Sequence, residues 1–106
     1  MGACDFQTSS VGKTAEGAFR EAVKQAEYDH GHSGYSGTIA EKQDFVMIPF
    51  DKEGDETAAQ KLASELIEKS DDRIDDKWGP AGCIEIGPVK GKSPLKKYLF
   101  FGWASS

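Results

Sequence analysis

Between residues 15 and 26 the apolar side chains fall at Ala15, Ala18, Phe19, Ala22, Val23 and Ala26, spaced i, i+3, i+4, i+7, i+8, i+11. A helix puts those positions on one face, so the rest of the chain must supply a surface for that face to cover. Alanine dominates the stripe, which lets the helix lie very close to its neighbour. Thr14 stands where an N-cap is wanted. Continuing the stripe by four residues reaches His30, and Gly31 follows where helices commonly stop.

The surface it needs is a sheet. Ala3 to Ser10 alternates, with Cys4, Phe6 and Thr8 on one side and Asp5, Gln7 and Ser9 on the other, which predicts a half-buried strand. Asp44 to Phe50 contains the unbroken apolar run Phe45-Val46-Met47-Ile48, which predicts a buried central strand ended by Pro49. Thr57 and Gln60 form a capping box ahead of a second stripe, Ala59, Leu62, Ala63, Leu66 and Ile67. Ile74 and Trp78 are four apart and predict one more packed helical turn, with the neighbouring aspartates facing water. Gly82 to Val89 and Lys96 to Ala104 predict a loosely connected hairpin-type pair, and Tyr35 to Ala40 alternates weakly enough to be a short extra strand. The expected fold is a single α+β domain over residues 1–106: two helices packed on one face of a mainly antiparallel four- to five-stranded sheet, in the order β-α-(β)-β-α-β-β.

Charge narrows the function classes. A net charge of −5 over 106 residues opposes non-specific binding to nucleic acid or to an anionic membrane, and mild acidity is also a common solubility device. No stretch has the length of a membrane span. Met1-Gly2-Ala3-Cys4-Asp5 lacks the basic start and apolar run of a signal peptide. The expectation is therefore a cytoplasmic protein whose two cysteines, Cys4 and Cys83, are reduced and buried.

The chemistry-bearing residues concentrate between His30 and Lys42. His30, His32, Ser33, Gly34, Tyr35, Ser36, Gly37, Thr38 and Lys42 are the candidate ligand-binding residues. Glycines permit close backbone approach, successive N–H groups can cradle an anion, and the hydroxyls, phenol and imidazoles supply donors and acceptors. His30 and His32, with Asp29, are competent metal ligands, but two histidines without a second cluster do not make a site, so neither a metal nor another cofactor is expected. Ser33 or Ser36 with His32 or Glu41 would be needed for hydrolysis, and no nucleophile-elbow motif surrounds them; as catalytic groups Glu41 and Lys42 read better as surface residues. Gly12-Lys13-Thr14 imitates the end of a phosphate loop, but Gln7 occupies the place of its first glycine. The aspartates between Asp71 and Asp76 lack the spacing of a calcium loop. Lys90, Lys92, Lys96 and Lys97 form a basic patch, and the aromatics Tyr98, Phe100, Phe101 and Trp103 read as core rather than as a base-stacking platform.

Gly2-Ala3-Cys4-Asp5-Phe6, together with Gly34-Tyr35-Ser36-Gly37-Thr38-Ile39-Ala40-Glu41-Lys42, resembles small proteins of tailed bacteriophages and prophages that have no assigned function. The resemblance covers the first half of the chain and brings no catalytic or binding residues with it. It implies an accessory protein in the host cytoplasm, acting by binding. The sequence favours non-catalytic sequestration of a small phosphorylated or nucleotide-like ligand through His30–Lys42. The alternatives are an acidic inhibitor of a host defence protein and a metal-dependent or hydroxyl-nucleophile hydrolase. Self-association through the alanine-rich helix or an exposed sheet edge is open to it.

Overall fold

The computed structural model describes residues 3–30, 39, 42–75, 79–89, 91 and 94–105. The elements are β1 (Ala3–Gly12), α1 (Ala15–His30), β2 (Phe45–Met47), α2 (Glu56–Glu68), β3 (Ala81–Pro88) and β4 (Lys96–Ser105). The sheet order is β1-β4-β3-β2. β4 pairs antiparallel with β1 and with β3, and β2 joins β3 in parallel. This is the expected α+β fold on a mostly antiparallel sheet of four strands. The extra strand expected at 35–40 falls outside the described residues except for Ile39, whose carbonyl accepts from Lys42 N–H at 2.9 Å.

The helices do not share a face, which corrects the expectation. Tyr98 and Phe100 of β4 pack with Ala18, Phe19 and Ala22 of α1. Leu99 and Phe101, the intervening residues, pack with Ala59, Ala63, Leu66 and Ile67 of α2. Side chains alternate across a strand, so α1 covers one side of the sheet and α2 the other. The reason is legible in β4 itself: four successive large apolar residues can all be buried only where both faces are covered.

On the α1 side the core is aromatic. Phe19 lies 5.1 Å from Phe45 and 5.6 Å from Phe100, centroid to centroid, within the range where tilted and edge-on rings attract. Thr14 caps α1 as expected, its Oγ1 accepting from Gly17 N–H at 3.1 Å. On the α2 side the cap is Asp55, whose carboxylate accepts from Ala58 N–H at 2.9 Å, not the expected Thr57. An aspartate at that position both satisfies an orphan donor and complements the positive helix end, and Thr57 is already inside the helix.

α2 stops at a left-handed residue. Ser70 has φ 52°, its N–H donates to Ile67 at 3.1 Å, and Asp71 N–H donates to Leu66 at 3.0 Å, the paired bonds of a Schellman end. Asp71 then turns the chain while its own side chain stays partly exposed. Its carboxylate accepts from Arg73 N–H at 3.0 Å, Nε at 2.9 Å and Nη2 at 3.1 Å, which holds its acid well below the usual range, at about 2. That turn delivers Ile74 to the α2-side core at 1% exposure; Trp78, its expected partner, lies outside the described residues.

β2 is shorter and more peripheral than its apolar run suggested. It is a three-residue edge strand with Met47 half-exposed, not a buried central one. Phe45 enters the α1-side core and Val46 the α2-side core, so the run is apolar because both helices reach the edge. Pro49, with no N–H, cannot extend the pairing.

Two substitutions test this packing. A Cβ on Gly82 would lie 2.5 Å from the Phe101 ring, so Gly82→Ala is expected to lose about 1–3 kcal/mol, read as a lower urea midpoint at unchanged slope. Ser70→Gly removes the left-handed penalty and is expected to gain roughly 1 kcal/mol, raising the thermal midpoint by several degrees.

Candidate binding groove along β1

β1 and α1 are joined by Lys13 and Thr14, and Gly12 lets them meet closely: a Cβ there would lie 2.7 Å from the Ala18 backbone nitrogen. Beyond that junction the two elements separate and leave a groove of about 370 Å³. One wall is Phe6, Gln7, Thr8, Ser9 and Ser10 of β1; the other is Glu21, Ala22, Gln25 and Ala26 of α1, and Ile39 closes it. Thr8, Ser9 and Ser10 in one wall and Ala22 and Ala26 in the other are small, which helps to leave the space open. Phe6, Ala22, Ala26 and Ile39 make an apolar lining, with the hydroxyls and Gln25 as hydrogen-bonding groups. Glu21 is the one charged side chain among these lining residues.

The β1 wall is made of consecutive residues. A cavity facing a sheet meets every second side chain. Five in a row means that the groove touches the backbone of the strand as well as its α1-side side chains. β1 is an edge strand, and among the described residues no strand pairs with its outer side. Sequence reading treated Thr8, Ser9 and Ser10 as ordinary strand residues. The signal that could have found them is small hydroxyl side chains placed opposite an alanine-rich helix face.

Most of the sequence-predicted site lies elsewhere in the chain. His30 closes the backbone of α1. His32, Ser33, Gly34, Tyr35, Ser36, Gly37 and Thr38 fall outside the described residues. Lys42 does not lie on the surface: it is 4% exposed, and its Nζ donates to the Gly79 carbonyl at 2.9 Å. A buried ammonium is tolerated only when its donors are met, and this bond ties the end of the glycine-rich stretch to the turn before β3. Ile39, 2% exposed, anchors the same stretch in the α1-side core.

The other candidate groups have structural roles. Cys83 is buried as expected, and burial, reinforced by the Glu85 carboxylate, pushes its thiol up to about 12. A buried, protonated thiol is a poor nucleophile at neutral pH. Cys4 is exposed, contrary to expectation, and both thiols are free. Tyr98 is buried and its phenol is raised by burial and by Glu85. Lys97 donates to Glu56 at 2.7 Å and Lys96 lies 3.8 Å from Glu85, while Lys90 and Lys92 fall outside the described residues. Among the described residues no three His, Cys, Asp or Glu side chains converge as metal ligands, and no helix is long and apolar enough to cross a membrane. The aromatic strand is core, as read from the sequence.

Compared with known proteins, the chain matches no protein-family model, no curated protein and no solved structure.

The two thiols give a direct check on this arrangement. A disulfide exchange reagent at pH 8 is expected to label one thiol per chain in the native protein, at Cys4, and two after denaturation. Labelling of Cys83 at a comparable rate would contradict its burial.

Proposed function

We propose that the protein acts by binding another protein rather than by catalysis, and that the groove along β1 is its contact surface. The observation that carries this reading is that β1, a ten-residue strand at the end of the sheet order, borders the groove, because a strand edge is a surface that protein partners use. Two described titratable groups have structural engagements instead: the buried thiol is held protonated, and Lys42 donates to a carbonyl. The resemblance to small phage proteins supplies the context of an acidic accessory protein acting on a host protein in the host cytoplasm.

A second reading rests on the size of the groove and on Ile39. A volume of about 370 Å³ suits a small ligand, and Ile39 brings one end of the glycine-rich stretch to the groove wall. A phosphorylated or nucleotide-like molecule would place its apolar or base portion in the groove and its anionic portion on that stretch.

Native mass spectrometry of the protein isolated from cells distinguishes the two, using Ala26→Trp to fill the groove and the thermal midpoint as the folding control. The expected result is a protein partner retained by the parent chain and lost in Ala26→Trp. A small-molecule adduct lost in the same way selects the second reading. A chain at its bare mass in every preparation overturns both.

A further inference from the structure

The two edges of the sheet are built differently. β2 is three residues long and is followed after one residue by Pro49; short length and proline both discourage strand addition. β1 is ten residues long, contains no proline and no lysine, and carries Asp5 as its one charge. Within β1 itself, the short length, proline and lysine that guard many edges are missing.

Resting on the protein-binding reading above, we propose that the partner contributes an extended segment which adds to the sheet as a fifth strand along the outer edge of β1, with a basic side chain set against Glu21. Three observations converge on that occupant. The groove lies beside five consecutive residues of an edge strand, about 17 Å of extended chain, and is walled by α1. A strand laid there would turn alternate side chains toward Phe6, Ala22, Ala26 and Ile39, which asks for apolar residues at every second position. The lining residues carry a single charge, that of Glu21, in a chain of net charge −5. Charge of that sign favours a basic segment, and it disfavours a second copy of this chain, whose own charge has the same sign.

The probe is a seven-residue peptide with valine at alternate positions, one of them replaced by lysine, and threonine between them, titrated by calorimetry and by amide NMR. Its control is the same peptide N-methylated on alternate backbone nitrogens, which keeps every side chain and charge but blocks strand pairing. Binding is expected to weaken by at least about tenfold on N-methylation and markedly in Glu21→Lys, and the edge-facing amides between Phe6 and Ser10 are expected to exchange more slowly in the complex. Equal affinity for the methylated peptide would show charge attraction alone and overturn strand addition. So would absence of binding, or the same amides already being protected in the free protein. A partner lost on Ala26→Trp in native mass spectrometry would survive each of those failures, so the protein-binding reading and strand addition fail separately.

Discussion

The fold hangs on β4. Tyr98, Leu99, Phe100 and Phe101 are all at most 2% exposed, and this is possible only because β4 has a strand on each side and a helix over each face. Burying an aromatic side chain of this size contributes about 1.5–3 kcal/mol, and truncating one costs about 3–5 kcal/mol, so these four positions hold a large share of a stability that is small for any domain. β1 and β3 are placed by pairing with β4, and α1 and α2 by covering its alternate residues. Gly82 belongs to the same arrangement, since its missing side chain is the space occupied by the Phe101 ring.

From that centre the groove follows. α1 must come close enough for its alanines and Phe19 to reach Phe100 and Tyr98, and Gly12 allows this at the N-terminal end of the helix. Towards the C-terminal half, Ala22 and Ala26 face Thr8 and Ser10 with too little side-chain volume to close the gap. The result is a concave edge on one side of the sheet, while the opposite edge is cut short at Pro49. The same choice of small residues that permits close packing at one end leaves room at the other.

The candidate site was only partly legible in the sequence. The glycine- and hydroxyl-rich stretch drew attention through its composition, yet composition says nothing of where its ends are held. Ile39 in the core and Lys42 on the Gly79 carbonyl are contacts over long sequence separations. A buried lysine is invisible beforehand, because its pattern is that of a surface lysine until the carbonyl that receives it is in place. Thr8, Ser9 and Ser10 were unremarkable until an edge with no other described strand on it and a helix stood beside them. Asp71 reads as one of several solvated aspartates, and its difference is the two-residue reach to Arg73 made possible by the helix end at Ser70.

Periodicity determines what is local here. Spacing in α1 and α2, alternation in β1, the Thr14 cap and the apolar density of β3 and β4 follow from side-chain geometry along a few turns or residues, and they were readable in order. Which strand is central, which face each helix takes, and which edge stays open depend on pairings between residues up to about a hundred positions apart, such as Ala3 with Ser105. Those pairings are selected by burying both faces of β4 at once. That is a requirement on the assembled sheet and on no single stretch of it, although the four unbroken apolar residues of β4 already demand two covered faces.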